Sequence, residues 1–379
     1  MANPVVVLFS SLLLPPSQTF IKAQGDELRQ FTPYYAGSRL VQGLDLPTQK
    51  VFTVNQGGMI GTASEVLFKF SGCAPGLKQA IQQVNPVLIH AQFGLSGALV
   101  LPLARSLQIP LLVHFRGADA TVPAAHARYA SLNHWIYFQR LQKLKQEARL
   151  FLTVSKFIRK KLLDQGFPAD RVIAHYHGVD TTRFQSDRTL PRQPIILFVG
   201  RLTEKKGCDY LIQATAQIQA VLPDVELVLI GDGPLRADLE AQAKQHLRRY
   251  QFLGTQPASV VKEWMNRAKL LAAPSVTASQ GDSEGLPNVV LEAQAMELPV
   301  ISTLHAGIPE AVMHGKTGFL SPERDAKSLA EQGLRLLQDV ELWQCFSQNG
   351  RSHMVNHFNR SEQTKALEAL YAAVTRGEL

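Results

Sequence analysis

Cysteine is scarce in this chain: three among 379 residues, Cys73, Cys208 and Cys345. They lie far apart, with no Cys-x-x-Cys or other metal-like spacing. That excludes a disulfide framework and fits a reducing cytoplasm with three buried thiols. No His/Cys cluster has the spacing of a metal site, and no Asp-x-Asp pair occurs anywhere. No apolar run reaches the roughly 20 residues needed to span a bilayer. Val5 to Leu14 is apolar, but no basic residue precedes it, no small-residue cleavage site follows, and Pro15-Pro16 ends it. A buried opening strand is expected there rather than a secretory signal. Internal repeats, low-complexity tracts, RNA-binding motifs and aromatic-basic repeats are also missing, so nucleic acid is not an expected partner.

What remains is an ordinary globular composition, 45% hydrophobic and 18% charged, at a length that suggests two domains. The charge is unevenly split. Residues 1–189 hold 20 Lys+Arg against 10 Asp+Glu, a net +10, while residues 190–379 hold 19 against 21, a net −2. A basic first half can attract an anionic membrane surface or a phosphorylated substrate.

Short apolar, β-rich runs alternate with helical stretches. In the first half the strand candidates are Val5–Phe9, Val51–Val54, Val87–His90, Leu111–Phe115, Phe151–Val154 and Val172–His175. The polar segment Gly178 to Gln193 reads as a linker. The pattern then restarts at Ile195–Val199, Val225–Ile230, Leu270–Ala273 and Val300–Ser302. Such alternation predicts α/β folding in two doubly wound, parallel-sheet (Rossmann-like) domains facing a cleft. The expected bounds are 1–186 and 187–359, with a terminal helix over 360–379.

Two stretches carry chemistry. Gly281 to Ala293 contains Glu284 and Glu292, with Gly285, Leu286, Pro287 and Asn288 between them. Pro287 suits the first turn of a helix, expected to run to about Glu297, and a helix start is a natural anion site. Glu284 would stand just ahead of that start and Glu292 one and a half turns inside. The second stretch, Phe198 to Gly207, follows a strand: Gly200 permits a tight turn, while Arg201 and Lys206 offer donors suited to a diphosphate. Read alone, each is an acidic pair beside a helix and a basic β-α loop.

With Pro274-Ser275, Leu298 to Ser302 and Gly307 to Glu310, these stretches resemble the donor-binding signature of the retaining GT-B glycosyltransferases of family four. The match is strongest to the exopolysaccharide and colanic-acid-type subgroup. The resemblance implies a hexosyltransferase using a UDP- or GDP-sugar, without a metal or other cofactor. It implies that Arg201, Lys206 and Glu284 act in catalysis. Gly200, Gly285, Leu286, Pro287, Asn288, Glu292 and Leu253 would bind the donor, Leu253 beside the base through its backbone. It also assigns the terminal helix to the first domain. Ile230 to Leu235, with a Gly-x-Gly, reads as a structural turn.

In the first domain, Phe115, Gly117 and Asp119 fit the family's Phe-His-Gly-x-Asp pattern, which puts Arg116 where relatives have His. Either Arg116 takes over the sugar contact, or His114 reaches in from the same strand face. His114, Arg116, Gly117, Asp119 and Ser17 are the expected acceptor-side lining. His177 to Asp180 reads as a turn before the linker. Arg128 to Lys145 mixes Tyr129, Trp135, Tyr137 and Phe138 with Arg128, Arg140, Lys143 and Lys145. It reads either as an interfacial helix on anionic lipid or as a helix with a packed aromatic face and a solvated basic one. The expected partners are a nucleotide sugar, a glycan or lipid-linked acceptor and an anionic membrane surface. The expected location is cytoplasmic or peripheral on the inner membrane face. The alternative function is a non-catalytic nucleotide-sugar-binding or scaffold subunit.

Overall fold

The computed structural model describes residues 3–13, 15 and 18–379; Ser17 lies outside them. The chain divides into two compact units, Met1–His177 with Ser361–Leu379, and Gly178–Arg360.

The first unit is built on seven parallel strands. These are β1 (Val5–Leu13), β2 (Thr32–Leu40), β3 (Val51–Asn55), β4 (Leu88–Gln92), β5 (Leu111–Phe115), β6 (Leu150–Thr153) and β7 (Val172–Ala174). Their order is β3-β2-β1-β4-β5-β6-β7. Six parallel strands make the second unit: β8 (Ile195–Val199), β9 (Glu226–Ile230), β10 (Tyr250–Phe252), β11 (Leu270–Ala273), β12 (Val300–Thr303) and β13 (Gly318–Ser321). They run β10-β9-β8-β11-β12-β13. Winding reverses between β1 and β4 in one sheet and between β8 and β11 in the other. At such a switch point, loops leave the carboxyl ends of adjacent strands toward opposite faces, and ligands bind in the crevice between them.

Helices cover both faces of such sheets, so central strands read as unbroken apolar runs. In the second unit Ile196 and Phe198 of β8 share a core with Leu211, Ile212 and Ile218 of the helix Cys208–Val221 and with Leu329 and Leu336 of the helix Ala326–Gln338. Each such side chain contributes about 1.5–3 kcal/mol by leaving water. In the first unit Val6, Leu8, Leu88, Leu112 and Leu150 pack with Leu367, Tyr371 and Val374. The last three lie on the terminal helix Arg360–Arg376. Its Glu368 carboxylate also accepts the backbone N–H groups of Arg29 and Gln30 at 2.7 and 2.6 Å.

The unit boundary falls earlier than the expected 186/187. Gly178 onward packs on the second unit: Val179 bridges to Asn359, and Arg351 donates to the carbonyls of Thr181 and Phe184, each at 2.8 Å. The expectation of three buried thiols also fails. Cys208 is buried, but Cys73 and Cys345 are exposed.

Candidate functional site

In the second unit the loops after β8, β9, β11 and β12 converge at the β8/β11 switch point. Gly200 donates to the carbonyl of Ile230, and Leu202 to that of Asp232. A Cβ on Gly231 would lie 1.9 Å from the Gly200 carbonyl oxygen, and one on Gly233 2.4 Å from that of Leu202. The Gly-x-Gly turn therefore exists to let the β8 loop pass. Gly207, in the left-handed region at φ 63°, brings its Cα against the Pro274 carbonyl that follows β11.

This packing sets the charged groups. Lys206 Nζ lies 2.9 Å from Glu284 Oε1, and Lys205 Nζ lies 3.1 Å from Asp282 Oδ2. Burial raises the Glu284 pKa, but Lys206 and then Lys205 outweigh it, so the carboxyl sits below its usual range. Its backbone N–H donates to His305 Nε2 at 3.0 Å. His305 Nδ1 lies 2.6 Å from Glu323 Oε1, so the ring is the tautomer with its proton toward Glu323. Glu323 accepts in turn from the Thr277 amide. Arg201 is exposed, and its side chain makes no ion pair or hydrogen bond among the described residues.

The helix after Glu284 runs Asn288–Ala295, with Pro287 as its N-cap. It is shorter than the expected Pro287–Glu297, because Glu297 turns left-handed at φ 55°. Pro287 offers no N–H, and the amides of Gly285, Leu286 and Asn288 have no acceptor among the described residues, as is usual at the positive start of a helix. Gly285, Leu286 and Pro287 are themselves buried. Glu292 lies within the helix, mostly enclosed. Burial pushes its carboxyl up to about 7, against the opposing pull of Arg360 and Arg183. At Leu253, the N–H donates to Leu229 and the carbonyl accepts from the Gln256 side chain.

In the first unit the ends of β4 and β5 carry a second polar cluster. Asp119 accepts from the amides of Gly94, Arg116 and Gly117 at 2.8–3.1 Å, which pins the β5 loop. Arg116 donates through Nε and Nη2 to Gln92 Oε1 at 3.1 and 2.6 Å. Its Cζ lies 4.6 Å from the Phe20 ring centroid. Of the two candidates at this place, Arg116 is only half-buried, whereas His114 is fully enclosed. The His114 ring stacks on His90, contacts His175 and meets Arg116 through Nδ1.

The helix proposed for lipid contact runs Leu132–Glu147. Two of its three Lys and Arg side chains, and Arg128 just before it, are engaged. Arg140 donates to the carbonyls of Ala98 and Phe70, Lys145 to that of Gln165, and Arg128 lies over the Phe138 ring. Arg128 and Lys143 are exposed, so part of the basic face is solvated. Exposed apolar residues occur in this stretch, with Tyr129 79% and Trp135 37% exposed, and also on the helix Gly58–Ser71, with Met59 90% and Ile60 84% exposed. No helix among the described residues is long and apolar enough to cross a membrane.

Sequence reading passed over His305, Glu323, Gln92 and His90. His305 had one usable signal, its place just past the carboxyl end of β12. The others have none, because their partners are distant in sequence.

Residues 38–183 match the family described as Glycosyltransferase Family 4, and residues 193–339 match Glycosyl transferases group 1. The amylovoran biosynthesis glycosyltransferase AmsK of Erwinia amylovora is 35% identical over 66% of this chain and 61% of its own. The putative colanic acid biosynthesis glycosyltransferase WcaL of Escherichia coli K12 is 34% identical over 64% of this chain and 61% of its own. The chain thus spans about three-fifths of the length of these relatives. In fold it is similar to Anabaena HepE, solved in complex with UDP and glucose (TM-score 0.77, 19% identity, 98% of this chain and 100% of that one). It is equally similar to the sucrose-phosphate synthase of Thermosynechococcus elongatus (TM-score 0.78, 20% identity, 99% and 100%). With two matching profiles across its two units and two Rossmann-like sheets, this chain belongs to the family four glycosyltransferases and has the GT-B fold.

Proposed function

We propose that the protein transfers a hexose from a UDP- or GDP-sugar to a hydroxyl of a glycan or lipid-linked acceptor in polysaccharide synthesis, retaining anomeric configuration and needing no metal. The observation that carries this reading is the Lys206–Glu284 pair at the β8/β11 switch point, beside the unpaired Arg201 and the open amides at the helix start. Glu292 accepts hydrogen bonds from the ribose hydroxyls. Arg201, Lys206 and the amides near Asn288 stabilise the departing diphosphate, which is electrostatic catalysis by prepositioned donors. Glu284 holds hydroxyls of the transferred sugar. The acceptor attacks from the leaving-group face through an oxocarbenium-like state, and the leaving phosphate takes its proton.

The names of AmsK and WcaL support a role in exopolysaccharide synthesis. The UDP and glucose bound to HepE support a nucleotide-sugar donor. The basic first half and the exposed Met59 and Ile60 support a lipid-linked acceptor at an anionic surface.

A thermal-shift screen against UDP- and GDP-sugars, with and without a chelator, tests the donor. Stabilisation by one nucleotide sugar is expected, insensitive to chelator and lost in Lys206→Ala and Glu292→Ala. No stabilisation by any of them defeats the reading, and stabilisation without transfer to any acceptor favours the scaffold alternative.

A further inference from the structure

Three hydrogen-bond donors at the ends of β4 and β5 are enclosed and lack acceptors among the described residues. Arg116 Nη1 is one and Gln92 Nε2 another, since Gln92 Oε1 faces the guanidinium. The third is His114 Nε2. The His114 Nδ1 accepts from Arg116 Nη2 at 3.3 Å, which leaves the ring proton on Nε2. Gln92 and His114 are register partners on adjacent parallel strands, so their side chains share a face, and both are fully buried.

The cluster also lacks a counter-ion in direct contact, Asp119 acting on Arg116 only across space. Arg116 forms no ion pair among the described residues, and the carboxylate of Asp119 is turned to three backbone amides. The neighbouring rings are neutral and add no positive charge of their own, because burial holds His90 and His114 well below the usual imidazole range and His175 at about 4. Burial likewise pushes the Arg116 guanidinium down to about 9. A buried donor without an acceptor costs about 1–3 kcal/mol, more when charged. Three together, all donors, call for a group that only accepts. Arg116 is the member that reaches solvent.

We propose that Arg116, Gln92 and His114 form a binding site for an anionic oxygen group of the substrate held by the first unit, either a sugar carboxylate or a phosphate. The inference rests on the glycosyl-transfer reading and narrows its acceptor to an acidic glycan or a lipid phosphate.

Calorimetric titration with methyl glucuronide, methyl glucoside and dimethylallyl monophosphate tests it. The titrations use the full chain in a Lys206→Ala background, so that the second unit's phosphate-binding residues contribute little. At least one anionic probe is expected to bind about 10- to 100-fold tighter than the glucoside, the range of a charge-assisted hydrogen-bonded pair. Preference for the glucuronide identifies an acidic sugar, and preference for the monophosphate a lipid phosphate. Arg116→Gln should abolish the preference. Gln92→Glu, which supplies an internal counter-ion, should abolish it while raising Tm, and stands in where Arg116→Gln does not fold. Equal binding of anionic and neutral probes, or a preference surviving both variants, overturns the proposal. Nucleotide-sugar stabilisation of the wild-type protein reads the other unit, so failure here leaves the donor reading standing.

Discussion

Lys206 Nζ stands 2.9 Å from Glu284 Oε1, and each is the other's ion partner across the loops after β8 and β11. The carboxylate therefore lies where it weakens the pull of Lys206 on a diphosphate. Glu284→Gln should tighten UDP binding by about 3- to 10-fold, as expected for removing one repulsive charge at a partly screened site. The same variant should slow sugar transfer by about 100-fold or more through loss of contacts to the sugar. Calorimetry with UDP and a transfer assay check the two halves. Weaker UDP binding would mean that Glu284 acts only by positioning Lys206.

Glu292 gives a pH signature. Its native carboxyl is raised to about 7, above its unfolded value. Its contribution to stability is therefore full below the unfolded pKa and lost as pH rises through about 7. Glu292→Gln should stabilise the unliganded protein at pH 8 relative to wild type, on the order of 2 kcal/mol, and change little at pH 4. A nucleotide sugar that needs the carboxylate should bind wild type about tenfold tighter at pH 8 than at pH 6. Chemical denaturation and calorimetry across that range decide it, and a flat profile in both removes Glu292 from the ribose role.

Glu65 works in the opposite sense. Burial raises its pKa, but Arg39, Asn55 and Lys69 outweigh burial and hold it at about 2. Its contribution is present above the unfolded carboxylate value and lost as pH falls toward 2. Glu65→Gln should cost about 1–3 kcal/mol at pH 7 and close to nothing at pH 2. Denaturant midpoints at the two values measure this, and equal losses would assign the effect to packing.

Met59 and Ile60 project from the first turn of their helix, 90% and 84% exposed. Met59→Asp with Ile60→Asp should leave Tm within about 1 °C, as surface changes do. Co-sedimentation with anionic vesicles should drop several-fold. Unchanged binding would move lipid contact elsewhere or abolish the idea.

Much of the fold could be read from apolar runs alone. Leu111–Phe115, Ile195–Val199 and Leu270–Ala273 are strands over the expected bounds, because strands covered on both faces have nothing but apolar residues to offer. Three strands escaped. β2 carries Pro33, Gly37 and Arg39 and looks like a turn, yet it pairs along β1, where Gly37 is needed because a Cβ would lie 2.5 Å from the Ser10 carbonyl. β10 and β13 are short edge strands. At the site, Arg201, Lys206, Glu284 and Glu292 were legible as local motifs. The His305–Glu323 link and the burial of His114 were not, since both depend on which strands lie side by side. The unit boundary was misplaced for a similar reason: Gly178 to Phe184 looks like linker but is held by Arg351, far along the chain.

The terminal helix carries a consequence for synthesis. Leu367, Tyr371 and Val374 complete the core of the first unit, and Glu368 caps Arg29 and Gln30. On the ribosome, that unit emerges first yet waits for its last piece until all of Gly178–Arg360 has been made. The second unit, contiguous in sequence, has no such wait and can finish folding earlier. The nascent first unit thus spends most of translation with a missing wedge of apolar surface over β1 and β4, and a chain stopped short of residue 361 would carry that exposed core permanently.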